Sequence, residues 1–235
     1  MQAIKNPTVI SCQVEVVETI KSPFLFLLLY MEFEMNVKNS LVYGVGINDY
    51  PNKVFIDKKI IYEYDLWKSM IRRCYSKCCL TRRPTYQNCY VEAYLLSFNN
   101  FYNFIHTLKG FMQTDDKGKK FHLDKDLLGG GKAYDRKSIC FVPLEINSFL
   151  TKNNASRGKY LIGVNFDKKT KTYVSQISVE NNKTILGRFN TEKEAFRAYK
   201  QAKEIHAKYL ANKWKDQIDP RVYEALMIWE VEGTD

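Results

Sequence analysis

The sequence predicts an α+β chain in two folded parts: a first part that mixes helices with a strand–loop–strand–helix (ββα) stretch, then a three-stranded antiparallel sheet packed on one helix. Three observations predict it. After residue 158, "YLIGVNF", "TYVSQISV" and "TILGRF" are short alternating runs separated by the polar turns "DKKTK" and "ENNK", the pattern of an antiparallel meander. Thr191, with Glu194 three residues later, opens the helical run "NTEKEAFRAYKQAKEIHAKYL" with a capping box. The polar stretch "TKNNASRG", residues 151–158, has the composition of a linker between parts.

The elements follow in chain order. Residues 1–36 combine an irregular apolar stretch with "MEFEMNVKNS" and read as an N-terminal extension. "YGVGIND" is a short strand and turn; Tyr64, Leu66, Trp67, Met70, Ile71, Cys74 and Tyr75 then recur at helical spacing on a helix that also carries Arg72 and Arg73. "TRRPTYQNCYV" is a loop around Pro84. A second helix is expected over about residues 91–108, burying Leu95, Phe98, Phe101, Phe104 and Ile105. The polar turn "QTDDKGKK" leads into "FHLDKDLLGGGKAYDRKSICFVPLEIN", whose order is strand, glycine-rich loop, strand and helix start. In the long later helix, Ala195, Ala198, Tyr199, Ala202, Ile205, Tyr209 and Leu210 form the expected apolar face, and Asp219-Pro220 opens a short closing helix that runs to Trp229. The expected divisions are 1–36, 37–150, 151–215 and 216–235.

Composition narrows the class. A length of 235 residues with 45% hydrophobic content suits real cores, and 16 Tyr with 14 Phe exclude a disordered basic tail. The net charge of +10 favours a polyanionic partner. The apolar run of residues 23–31, "PFLFLLLYM", falls short of the roughly 20 residues a membrane span needs, and no small-residue cleavage site follows it. A reducing cytoplasm with free thiols is therefore expected for the six cysteines. Cys74, Cys78, Cys79 and Cys89 lack paired CxxC spacing, which argues against structural zinc. Nothing in the pattern selects an oligomeric state.

Charge concentrates late in the chain. Residues 155–216 hold 14 Lys or Arg against 6 Asp or Glu, a net of +8. A solvated helix face accounts for Lys200, Lys203 and Lys208, but not for Lys168, Lys169, Lys171, Lys183 and Arg188 on the sheet. Alternation places Tyr173, Ser175 and Ile177 under the helix, and Val174, Gln176 and Ser178 on the open face with Asn165, Lys183 and Ile185. A helix-backed sheet of this size can enter a major groove. There Asn and Gln read adenine edges, while Lys and Arg hold phosphates. Asn165, Lys169, Lys171, Gln176, Ser178, Lys183 and Arg188 are thus the expected contacts to double-stranded DNA.

These residues carry a resemblance. Gly163-Val164, the aromatic-centred strand from Tyr173 to Ile177, Leu186-Gly187-Arg188-Phe189 and the run from Thr191 to Tyr199 resemble the ethylene-response-factor (apetala-type) DNA-binding domain over about 60 residues. Plant members set arginines on the sheet face, one of them just before Gly-Val. Here Ile162 stands at that position, and Asn165, Gln176 and Ser178 point outward, so DNA binding carries over but the plant sequence preference does not.

In the earlier stretch, His122, Asp124 and Asp126 are expected on one strand face by period two, where they could converge on one ion, with Asn147 at the following helix. By chemistry alone, H-x-D-x-D also describes a solvated strand edge. Together "YDLWKSMIRRCY", "TYQNCYV", "LDKDLL" and "YDRKSICFVPLEIN", followed by the meander, resemble phage-encoded HNH (ββα-metal) endonucleases with an apetala-type domain. The resemblance spans roughly residues 42–210. It implies hydrolysis of DNA phosphodiester bonds in the host-cell cytoplasm, with Mg²⁺ or Mn²⁺ held by Asp124, Asp126 and Asn147, and His122 as the base. Two positions depart from the family: Lys125 stands where a histidine is usual, and Gly131-Lys132 replaces Gly-Asn-Lys. The alternative is a DNA-binding protein on the same scaffold that does not cut.

Overall fold

The structure, a computed structural model, describes residues 41–129, 131–151, 159–179 and 182–231. The expected N-terminal extension and nearly all of the linker lie outside the described residues. A short antiparallel ribbon, β1 (Phe55–Ile56) and β2 (Lys59–Ile60), leads into helix α1 (Tyr62–Tyr75). Acidic Glu63 and Asp65 in its first turn and basic Arg72 and Arg73 in its last complement the helix dipole, and Trp67, Met70, Ile71 and Cys74 bury its inner face as the spacing predicts.

The second long helix does not form as expected. After α2 (Lys77–Arg82) and a 3₁₀ turn at Pro84–Tyr86, the chain makes strand β3 (Tyr90–Val91), a 3₁₀ turn at Ala93–Leu96 and only then α3 (Phe98–Ile105). One distant pairing and one local cap explain this. Strand β3 pairs in parallel with β5 (Ala133–Tyr134), and the Ser97 hydroxyl accepts the Asn100 amide at 3.0 Å, starting the helix late. Of the expected stripe, Leu95, Phe98, Phe101 and Ile105 are buried, whereas Phe104 is only partly buried.

The expected stretch holds two paired strands and a following helix. Strand β4 (His122–Asp124) pairs antiparallel with β6 (Cys140–Val142), and α5 (Leu144–Leu150) follows. The intervening loop carries the short α4 (Asp126–Gly129) as well as β5. The second part is the meander β7 (Val164–Asp167), β8 (Thr172–Val179) and β9 (Asn182–Phe189), followed by the 23-residue α6 (Glu192–Trp214) and α7 (Pro220–Met227). Thr191 and Glu194 form the expected capping box, and Asp219 accepts the Arg221 amide ahead of Pro220.

Helix α6 belongs to both parts. Its first half covers the sheet, where Tyr199 joins Ile177 and Val231 in a small core flanked by Phe196 and Leu186. Its second half delivers Leu210, Ala211 and Trp214 to the larger core, together with Ile218, Val222 and Leu226 from beyond it. Trp214 Nε1 donates to Glu145 Oε2 at 3.0 Å, and its ring meets Phe121 edge-on at 5.7 Å. The change of partner along the helix rotates the buried face. Ile205 and Tyr209, expected in that face, are 61% and 55% exposed, and Ala207 is buried instead. Among the described residues no helix is long and apolar enough to cross a membrane.

Candidate functional site

The open sheet face is built by cross-strand register. Val174 lies opposite both Asn165 and Arg188, Gln176 opposite Ile185, and Ser178 opposite Lys183. Directly paired residues share a face, so all seven point away from α6. On the inner side, Tyr173 pairs with Phe166 and Phe189, and Ser175 is fully buried. A bulge in β9 explains how Ile185 and Arg188, three residues apart, can both face outward. Ser175 opposes Gly187 and Gln176 opposes Ile185, so Leu186 is an extra residue and packs on the helix side.

Charge on this face is unevenly available. Arg188 donates to Asp167 Oδ2 at 2.6 Å and to Thr170 Oγ1 at 3.3 Å. The Arg188–Asp167 bond and the Lys169 amide pull the Asp167 carboxyl down to about 2. Lys168, Lys169 and Lys171 are exposed in the β7–β8 turn, and Lys183 is exposed at the opposite end of the face. The expected set Asn165, Gln176, Ser178 and Lys183 is thus assembled on one surface with lysines at its rim. Arg188 is there but already engaged.

The hairpin site is arranged differently from the period-two expectation. The strand ends at Asp124, so alternation relates only His122, which is exposed and opposite Val142, and Asp124, which is buried and opposite Cys140. Asp126 has turned off the strand into the first turn of α4. Asp124 makes that turn: its Oδ1 accepts the amides of Asp126 at 3.1 Å and Leu127 at 3.0 Å. Burial raises its carboxyl above the usual value, against the opposing pull of those amides. Asn147 is half-buried on α5.

A cationic cluster beside these carboxylates was not anticipated from the sequence. The Lys125 ammonium is buried, donates to Asp126 Oδ1 and to the Gly131 carbonyl at 2.7 Å, and stands 5.4 Å from the Tyr134 ring centroid. Arg73 lies 5.5 Å from the same ring and 5.9 Å from Tyr86. The four residues come from α1, the 3₁₀ turn, the β4–α4 junction and β5, so no local motif could reveal them. Among the described residues no group of three or more His, Cys, Asp or Glu is placed to hold a metal ion. Asp124, Asp126 and Asn147, two carboxylates and an amide, are a different kind of set. The Lys125 ammonium already pairs with Asp126 Oδ1, while the Asp126 side chain is 59% exposed.

No family model matches the chain, nor does any curated protein or solved structure.

Proposed function

We propose that this chain binds double-stranded DNA through the outward face of the β7–β8–β9 sheet. One observation carries the reading: a helix-backed sheet presents Asn165, Gln176, Ser178 and Lys183 together, with exposed Lys168, Lys169 and Lys171 at its rim. Amides and hydroxyls suit base edges, and rim lysines suit phosphates. The excess positive charge of residues 155–216 supports the same partner. The test is duplex binding against salt, with Lys169, Lys171 and Lys183 changed to Ala singly and together. Binding must weaken steeply with salt and fall in the triple variant; a triple variant that binds as tightly as the parent would sink the reading. Deleting everything after Thr151 is unsuitable, because it would strip Leu210, Ala211, Trp214, Ile218, Val222 and Leu226 from the larger core.

A second reading is favoured by the order β4, β6, α5, with His122 and Asp124 on the hairpin and Asn147 on the helix after it. This is hydrolysis of DNA phosphodiester bonds in a host-cell cytoplasm with Mg²⁺ or Mn²⁺. Such an ion would stabilise charge on the scissile phosphate. His122 is exposed at the strand start and free to meet a water or a substrate edge; Asp124 shapes the turn that sets Asp126. A supercoiled plasmid incubated with each metal and with chelator, beside Asp124→Ala and His122→Ala, decides between cutting and holding. Nicking that needs metal and disappears in both variants supports cutting, and intact plasmid under either metal leaves DNA binding alone.

A further inference from the structure

We infer that the sheet face recognises an A·T base pair through Gln176 and Ile185 acting together, with Ile185 seated on the thymine methyl group. This rests on the DNA-binding reading and narrows it to one kind of base pair.

Ile185 is 60% exposed although it stands within β9 directly opposite Gln176. The bulge holds it there: Leu186 and Gly187 both turn toward α6, and Ile185 and Arg188 both turn away. Directly opposed residues of an antiparallel pair stand roughly 5 Å apart, so an amide and a branched aliphatic group form one contiguous patch. An A·T pair offers the matching surface in the major groove: adenine N7 and N6 for a bidentate amide, and beside them the thymine 5-methyl for an apolar contact. Guanine needs two donors, which an arginine usually supplies. The one arginine on this face among the described residues, Arg188, donates instead to Asp167 and Thr170. Lys183, one step along opposite Ser178, remains for the neighbouring phosphate.

The test uses the full chain in chelator, with fluorescence anisotropy on an alternating A-T duplex and on the same duplex with uracil in place of thymine. The uracil duplex is expected to bind about fourfold more weakly, the effect of returning one methyl group to water. Ile185→Ala should erase that difference while keeping the salt dependence. In the same chain, 5-methylation of cytosine in an alternating G-C duplex should tighten binding, and in Ile185→Ala it should not. Salt-dependent binding with equal affinity for the thymine and uracil duplexes overturns the inference and leaves the DNA-binding reading standing. Failure to bind any duplex overturns both.

Discussion

Gly163 and Tyr199 approach more closely than any residue with a side chain would permit: a Cβ at position 163 would lie 2.0 Å from Tyr199 Cδ2. Gly163 also holds φ at +75°, a left-handed conformation that favours glycine. Gly163→Ala should therefore destabilise the protein by about 2–4 kcal/mol, adding backbone strain to overpacking. Chemical denaturation measures this directly, and a cost near zero would mean that β7 can lift off α6.

Asp124 separates two effects that are usually confounded. Asp124→Ala removes the acceptor for two amides at the start of α4 and should cost about 1–2 kcal/mol. Asp124→Asn keeps an acceptor and removes the buried charge. Because burial raises the folded-state value, the folded chain binds the proton more tightly than the unfolded chain. Stability contributed by this group is thus greatest at low pH and falls as pH rises from the ordinary carboxylate range through the raised value. Denaturation midpoints against pH should show that fall in the parent and lose it in Asp124→Asn.

Lys203 makes the converse case. Its ammonium donates to the Phe149 carbonyl at 3.1 Å and stands 3.8 Å from the Phe149 ring centroid, and burial holds it down to about 8. Between about 8 and the ordinary 10.5 the unfolded chain binds the proton more readily, so stability should rise with pH across that window. Lys203→Met should flatten the rise in a pH series of urea melts; a variant with the parent's slope would assign it to another group.

Binding to duplex DNA should follow the charge map of the sheet. Lys183→Ala and Lys171→Ala should each reduce the slope of log affinity against log salt by roughly one. Gln176→Ala should weaken binding to one sequence class more than to others, with the salt slope unchanged. Parallel titrations at three salt concentrations distinguish these outcomes.

What could be read from the sequence divides by range of interaction. The meander, the capping box at Thr191 and the outward set Asn165, Gln176, Ser178 and Lys183 were legible because strand alternation and capping are local. The helix expected over residues 91–108 starts late because Tyr90–Val91 is claimed by a parallel strand more than forty residues away, which no period in the segment reveals. The three-residue alignment of His122, Asp124 and Asp126 failed because Asp124 itself ends the strand by capping the next turn. Arg73 and Lys125 met around Tyr134 only through folding. The exposed Ile205 and Tyr209 have a related cause: one helical period cannot describe a helix whose partner changes halfway along.

That shared helix stores an angle. A helix turns about 100° and advances about 1.5 Å with each residue, so the orientation of the sheet relative to the hairpin is set by the number of residues between Tyr199 and Trp214. Inserting one residue there would swing one surface by about 100° against the other, whereas inserting a whole turn would nearly restore the phase and shift it lengthwise. Evolution could redirect this protein by counting residues along an axle, without altering either surface.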